Sequence, residues 1–327
     1  MQRIRVYFRM LGLLCCLALT HTCIALSAEK VVSSVSPLGL DVPTVAVRGE
    51  AVLATGNSRI AVDVFLFHWL GKKYPAKAIQ LADGSWQASI LLPVPLQHKK
   101  KQEQLALTTV PAGHQGQGLL RVDRLVHVKD KQRPVQSLKV DRKYVEPPAA
   151  VQERIKNDRE KVRQALASIT AGRQWTLPLA RPVPGAVSSQ FGLQRVFNGK
   201  PRGLHRGLDL RGAEGTPVQA CADGQAVLCD NLYFAGNSVY LSHGEGVFTA
   251  YIHLSEIVVT PGQQVRRGQV IGRVGATGRV TGPHLHLSLF VQGHTVDPLP
   301  LLSERYIHTS DEALGHTARV VPNGVKP

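Results

Sequence analysis

Between about residues 31 and 131, apolar and polar positions alternate in short segments that recur roughly every ten residues, a pattern typical of antiparallel β structure. One candidate strand carries an apolar face made of Ile60, Val62, Val64 and Leu66. Asp83-Gly84 predicts a turn before a strand that starts at Trp86. No helical spacing of apolar residues occurs in this region. The pattern therefore predicts an N-terminal sandwich or barrel over residues 31–131.

The next region, residues 132–174, changes from strands to a connector and a helix. A basic tract ends in Pro147-Pro148, which suits an exposed linker. Apolar residues then recur at helical spacing on a charged background, at Val151, Ile155, Val162, Leu166 and Ile169. Gly172 is a suitable stop signal. One amphipathic helix that packs against a domain is predicted here.

Strand-like segments return from Trp175 to Leu302, where Val and Leu runs alternate with Gly-containing turns. The pattern predicts a second β domain over residues 175–302. Residues 303–327 are expected to form an irregular tail. The chain as a whole is expected to be mainly all-β with one connecting helix.

The first 28 residues have the pattern of an export signal. Arg3, Arg5 and Arg9 precede the uncharged apolar run Met10–Leu19, and small residues at Ala25 and Ala28 offer cleavage positions. A run of about ten apolar residues is too short to span a bilayer, which takes about 20. We expect a signal peptide over residues 1–28, export, and no stable transmembrane span after cleavage.

Basic residues outnumber acidic ones, and the formal net charge is +16. Removal of three signal arginines leaves 36 basic and 23 acidic residues, a net charge of +13. This charge favours polyanionic surroundings. Because export is expected, anionic envelope polymers are the partners predicted by the charge, and nucleic acid is not expected.

Two cysteines, Cys221 and Cys229, would remain after cleavage of the signal. They lie on either side of Asp223-Gly224, which predicts a hairpin turn. A two-residue turn would place Cys221 opposite Ala226, so a disulfide would need a longer loop. The pattern leaves the disulfide open.

Three histidine-bearing segments stand out in the C-terminal domain. They are His205-Arg206-Gly207-Leu208-Asp209, Tyr251-Ile252-His253-Leu254 and Gly282-Pro283-His284-Leu285-His286. On a strand, His284 and His286 would share a face about 7 Å apart. Two imidazoles and one carboxylate are a recognised catalytic zinc set with an open position for water, which the metal makes a better nucleophile. His253, and whichever of His284 and His286 is not a ligand, would then suit proton transfer.

These segments, in this order, resemble the lysostaphin-like (LytM-type) zinc metallopeptidases. The similarity runs from Ser188-Ser189-Gln190-Phe191-Gly192 to Val296-Asp297-Pro298. It includes Gly215-Thr216-Pro217-Val218, Gly236-Asn237-Ser238-Val239 and Gly275-Ala276-Thr277-Gly278. The resemblance implies an antiparallel β-sheet metallopeptidase domain with the metal in a groove. The N-terminal half also resembles, less closely, the Ig-like β-sandwich that precedes this domain in some Gram-negative members.

The resemblance also implies residue roles. His205, Asp209 and His286 are expected to bind one zinc ion per chain, and His253 and His284 to be the catalytic pair without metal contact. The implied function is a zinc metalloendopeptidase that hydrolyses peptide cross-links of peptidoglycan, in the periplasm or cell envelope of a Gram-negative bacterium. Its partners would be the peptide stems.

Two alternatives stay open on the sequence. A catalytically silent LytM-type module could activate a cell-wall amidase, although such modules lose metal ligands and this chain retains all five site residues. A secreted peptidase acting on glycine-rich proteins would use the same zinc chemistry. The bond that is cut, the role of the N-terminal domain and the oligomeric state are not indicated by the sequence.

Overall fold

Strands make up most of the regular structure, as the alternating pattern predicts, and one helix of the described residues exceeds a single turn. The computed structural model describes residues 36–109, 119–168 and 172–306, with side chains through residue 303. The signal peptide predicted for residues 1–28 and all but the first residues of the predicted tail lie outside the described residues. The prediction of a mainly all-β chain is confirmed.

The N-terminal part contains two sheets. Its strands are β1 (Leu38–Asp41), β2 (Val45–Val47), β3 (Ala51–Ser58), β4 (Val64–Trp69), β5 (Lys72–Lys77), β6 (Ile79–Gln80), β7 (Trp86–Pro93), β8 (Gln102–Thr109) and β9 (Leu120–Lys129). The sheets have the orders β1-β3-β7-β6 and β2-β9-β8-β4-β5. Buried residues of both sheets form one apolar cluster, among them Leu40, Phe65, Phe67, Trp69, Ile90, Leu92, Leu105 and Leu107. The Ig-like assignment of this part stays a prediction.

The face predicted for β4 was wrong. The strand begins at Val64, which is 44% exposed, and its buried face carries Phe65, Phe67 and Trp69. Val62 is fully buried but precedes a bend at Asp63. Since side chains alternate along a strand, that bend moves the apolar face by one position, and the larger aromatic side chains occupy the core.

The middle of the chain contains β10 (Val135–Leu138), a one-turn helix α1 (Arg142–Val145), a 3₁₀ turn (Ala149–Val151) and the helix α2 (Gln152–Ala167). The predicted connecting helix is therefore confirmed. On α2, Ile155 is 4% exposed, and Val162 and Leu166 pack against a small cluster of buried residues on the C-terminal sheet. Among the described residues, no helix is long and apolar enough to cross a membrane.

The C-terminal part is built around one large sheet. Its strands are β11 (Leu179–Arg181), β12 (Val187–Ser189), β13 (Gln194–Phe197), β14 (Lys200–Leu204), β15 (Leu208–Arg211), β16 (Pro217–Gln219), β17 (Gly224–Leu232), β18 (Gly236–Ser242), β19 (Val247–Ile257), β20 (Gln264–Val265), β21 (Val270–Val274), β22 (His284–Val291), β23 (His294–Val296) and β24 (Leu302–Tyr306). A 3₁₀ turn, Leu299–Leu301, precedes β24. The main path is β12-β15-β22-β19-β18-β17-β20, and every pairing along it is antiparallel.

The hairpin predicted at Asp223-Gly224 does not form. The preceding strand β16 pairs with β21, whereas β17 pairs with β18 and β20, so the two strands flanking the turn are not partners. Cys221 is buried, Cys229 is partly buried, and both are free thiols.

One strand of the N-terminal part contributes to the C-terminal core. Ile90 and Leu92 of β7 face the N-terminal cluster, but Leu91 between them is fully buried in the C-terminal cluster. The backbone N–H of Asp297 donates to the carbonyl oxygen of Gly49 at 2.7 Å. The described residues from Pro37 onward belong to one compact unit. The domain boundaries drawn from the sequence stay a prediction.

Candidate metal centre

Three adjacent strands bring the histidine segments together. Asp209 on β15 is the cross-strand partner of His286 on β22, and Ile252 on β19 is the partner of His286 on the other side. His205 lies just after β14, and Gly207 forms the bend before β15, so His205 and Asp209 are joined by a turn. Side chains alternate along β22, which directs His284 and His286 to one face and buries Leu285 and Leu287 on the other.

Three of these side chains point one atom each at a common position. His205 Nε2 lies 3.0 Å from Asp209 Oδ1 and 3.0 Å from His286 Nδ1. His286 Nδ1 lies 2.7 Å from Asp209 Oδ1. The three residues are the sequence-predicted metal ligands, and the structure places them together.

Hydrogen bonds at the far side of each ligand ring fix which nitrogen faces the centre. His205 Nδ1 donates to the carbonyl oxygen of Gln190 at 2.7 Å. His286 Nε2 donates to Ser288 Oγ at 3.0 Å, because that hydroxyl gives its own proton to the carbonyl oxygen of Arg206. The inward nitrogens are therefore unprotonated in the neutral rings, as metal ligation requires.

The other two histidines border the same centre. The rings of His253 and His284 lie 5.2 Å apart, and His284 Nε2 lies 3.8 Å from Asp209 Oδ1. Each donates from Nδ1 to a backbone oxygen, His253 to Thr277 and His284 to Gly282, both at 2.8 Å. This leaves each Nε2 free to accept a proton from a group in the groove.

A bulge in β19 sets the position of His253. Asn237 and Val239 of β18 face Leu254 and Tyr251, so one residue of β18 opposes two of β19. His253 has a φ of 68°, a conformation that non-glycine residues seldom adopt. Such backbone strain is often found at functional sites.

The electrostatics of the centre favour an ionised Asp209 and lower the pKa of two of its histidines, His253 and His286. Burial raises the pKa of Asp209, but its close contacts with the rings of His205 and His286 outweigh this effect, and the pKa falls far below its usual range. Burial, with repulsion from His286 and His284, lowers the pKa of His253 to about 3. Burial also lowers the pKa of His286.

Arg195 on β13 belongs to the centre and was missed in the sequence. Its Nη2 donates to Asp209 Oδ2 at 2.8 Å and to Ser189 Oγ at 3.1 Å, and the residue is only 9% exposed. Asp209 Oδ2 is thus bonded to Arg195, and Asp209 Oδ1 remains available to bind a metal ion. No spacing signal links Arg195 to Asp209, because their contact depends on how β13 packs.

A groove with a volume of about 650 Å³ contains the centre. Among the described residues, its lining includes one acidic residue, Asp209, and five arginines: Arg195, Arg202, Arg206, Arg211 and Arg279. Gln136, Leu138 and Val140 also line it, and β10 pairs in parallel with β13. The tract predicted as an exposed linker therefore forms part of a sheet and one side of the groove.

Two other histidines lie in glycine-rich turn segments of the sequence, His243 in Ser242-His243-Gly244 and His294 in Gln292-Gly293-His294, a setting that predicts surface positions. For His243 this prediction is wrong, because its side chain is fully buried, with Nδ1 donating to the carbonyl oxygen of Asp223 and Nε2 bonded to Thr249 Oγ1. Burial lowers its pKa to about 4. His294 is partly buried at the start of β23. Neither residue lines the groove.

The donor set fits a zinc ion. Zinc binds histidine nitrogens and carboxylate oxygens, and three protein ligands leave a position for water or substrate. Here two nitrogens and one oxygen converge with fixed tautomers and hydrogen-bonded far sides. In the described part of the chain, no cysteine, which is frequent in closed structural zinc sites, lines the groove.

Comparison with known proteins identifies the same region. Residues 203–298 match peptidase family M23. Peptidoglycan DD-endopeptidase ShyA of Vibrio cholerae serotype O1 is 46% identical over 114 residues, which cover 35% of this chain and 26% of that protein. DD-carboxypeptidase/endopeptidase Mpg of Neisseria meningitidis serogroup B is 46% identical over 113 residues, with coverages of 35% and 26%.

A crystal structure assigned to peptidase M23 of Pseudomonas aeruginosa is similar over a larger part of the chain. It is 27% identical with a TM-score of 0.56, and the match covers 79% of this chain and 96% of that one. The matching segment of the present chain spans about a quarter of the length of the two curated relatives, ShyA and Mpg.

Proposed function

We propose that the protein is a zinc-dependent endopeptidase that hydrolyses peptide cross-links of peptidoglycan, because residues 203–298 match peptidase family M23. The convergence of His205 Nε2, Asp209 Oδ1 and His286 Nδ1 within 3.0 Å of one another is the observation that carries this proposal. These three residues would hold the metal. When bound, zinc would polarise the scissile carbonyl and raise the acidity of water.

The remaining residues would orient the ligands and move protons. Arg195 holds Asp209 Oδ2, so Oδ1 stays directed at the centre. His253 and His284 each keep the proton on Nδ1 and present an unprotonated Nε2 to the groove. One of them would take a proton from the attacking water and deliver it to the leaving amine, because each presents an unprotonated imidazole nitrogen that can act as a general base.

The proposed substrate is supported by the relatives. ShyA is named a peptidoglycan DD-endopeptidase, and Mpg a DD-carboxypeptidase/endopeptidase. We propose the peptide stems of peptidoglycan as substrate, with the D-alanyl to meso-diaminopimelate bond as the cross-link that is cut. Reaching it requires the export that the N-terminal sequence predicts, to the periplasm or cell envelope.

Digestion of purified sacculi tests this proposal. The protein is incubated with sacculi, and the soluble fragments are identified by mass after the glycan strands are cut. We expect cross-linked peptide dimers to become monomers, a chelator to stop the conversion, and added zinc to restore it. Cleavage of glycine-rich peptides with sacculi left intact would overturn the proposed substrate.

A further inference from the structure

One arginine of the groove, Arg279, lies on the loop that also positions a catalytic histidine. The loop joins β21 to β22, and its Thr277 accepts the hydrogen bond from His253 Nδ1. Gly278 packs against the backbone of Phe234 and Gly236 so closely that a Cβ there would lie 2.5 Å from the Gly236 nitrogen. The backbone N–H of Arg279 donates to the carbonyl oxygen of Phe234 at 2.9 Å. Arg279 is therefore held at a fixed place beside the centre.

Two aromatic rings hold the guanidinium group. The Arg279 Cζ atom lies 4.8 Å from the ring centre of Phe197 and 4.8 Å from that of Phe234. Contacts of this kind orient a planar cation but leave its N–H groups available. The side chain is half-buried, so water supplies only part of its solvation.

No acidic side chain is paired with this cation in the described parts of the chain. Arg279 makes no side-chain hydrogen bond or ion pair there, and Asp209, the one acidic residue of the groove, is already paired with Arg195. Arg202 lines the same groove and donates to the backbone oxygen of Val145. Burial, with repulsion from Arg202 and Arg195, lowers the pKa of Arg279 to about 10. A local excess of positive charge is thus built into the groove.

We propose that Arg279, with Arg202 beside it, binds a free carboxylate of the peptide substrate next to the bond that is cut. This inference rests on the function proposed above and adds a specificity determinant to it. A carboxylate can accept two parallel hydrogen bonds from a guanidinium group, and such pairs are stronger than neutral ones. Stem peptides with carboxylates would bind in preference to neutral peptides of the same length.

Binding to the metal-free protein tests the inference without any cleavage. The probes are a stem-peptide dimer joined by a D-alanyl to meso-diaminopimelate bond, with free carboxylates, and the same dimer with its carboxylates converted to carboxamides. Metal is removed because zinc would itself bind a carboxylate. Affinities are measured by calorimetry for the parent, Arg279→Gln, Arg279→Lys and Arg159→Gln. Arg159 is exposed on α2, outside the groove, so its variant is a control with the same change of net charge.

We expect the parent to bind the free acid about tenfold or more tighter than the carboxamide, as is typical of a hydrogen bond to a charged group. Arg279→Gln should remove this preference, Arg279→Lys should keep part of it, and Arg159→Gln should keep all of it. Equal affinity of the parent for the two probes would overturn the inference, and that comparison requires no variant to fold. Failure of the zinc-loaded parent to open sacculi would instead count against the proposed function, so the two failures are distinguishable.

Discussion

At the scale of single residues, hydrogen bonds at the far nitrogens decide what each histidine can do. His205 and His286 present unprotonated nitrogens to Asp209, and His253 and His284 present theirs to the groove. That these five residues line one groove could be predicted from the sequence, because their spacing and order resemble a known family. Their tautomers could not, because the bonds go to backbone oxygens of Gln190, Thr277 and Gly282, whose positions depend on the folded chain.

Substitution of Arg195 tests how strongly metal binding at the centre depends on residues that do not contact the metal. In Arg195→Gln, Asp209 would lose the partner of its second oxygen, and its carboxylate would be free to rotate. We expect the dissociation constant for zinc to rise about 10- to 100-fold, as is typical when a partner of a metal ligand is removed. The measurement is a competition titration with a zinc-binding dye.

Arg159→Gln is the matched control, and circular dichroism checks that both variants fold. An unchanged zinc affinity in a folded Arg195→Gln variant would show that Arg195 does not orient Asp209.

The buried side chain of His243 should make the free energy of unfolding depend on pH. Burial lowers its pKa to about 4, so below its ordinary pKa the unfolded chain binds more protons than the folded chain, and stability falls as pH falls. Between about pH 7.5 and about pH 5 this group alone should remove about 2 kcal/mol from the free energy of unfolding. Urea unfolding of the parent and His243→Gln at both pH values measures the difference. An identical pH dependence in the two proteins would contradict the assigned burial of a neutral ring.

At the scale of elements, the alternation of side chains along strands predicts the structure more reliably than the turn signals do. The shared face of His284 and His286 follows from a period of two and was found as expected. The β4 face was wrong because a bend at Asp63 changes the phase, and the hairpin at Asp223-Gly224 was wrong because strand partners far apart in sequence decide pairing. The bulge that positions His253 also has no local sequence signal.

Gly207 shows how closely β15 approaches β22. A Cβ at this position would lie 2.2 Å from His286 Nε2 and 2.6 Å from the carbonyl oxygen of Leu287. Gly207→Ala should therefore displace His286 and weaken zinc binding at least about tenfold. The control is Gly282→Ala, where a Cβ would meet nothing within 4 Å. Equal zinc affinity in the two variants would mean that His286 can move without loss of zinc affinity, which would contradict this prediction.

At the scale of the whole molecule, the C-terminal core includes a residue from the N-terminal part. The continuous apolar run Ile90-Leu91-Leu92 is typical of a strand buried on both faces, and it is the signal in the sequence for this packing. The sequence could not show what covers Leu91, because the contact joins residues far apart in the chain.

A matched pair of substitutions tests this packing. Leu91 and Leu53 are direct cross-strand partners on β7 and β3, but Leu91 is fully buried and Leu53 is 38% exposed. We expect Leu91→Ala to lower the free energy of unfolding by about 2–5 kcal/mol, as for other buried leucines. Leu53→Ala should cost much less. Similar losses in urea unfolding would show that Leu91 is not held in the C-terminal core.

The central claim is that His205, Asp209 and His286 hold a zinc ion that the cleavage of peptidoglycan requires. The most direct measurement determines zinc content and fragment release from sacculi together, for the parent, His286→Ala and the control His294→Ala. The account predicts one zinc per chain and cleavage in the parent and the control, with both strongly reduced in His286→Ala. Full zinc content and cleavage in a folded His286→Ala variant would contradict it.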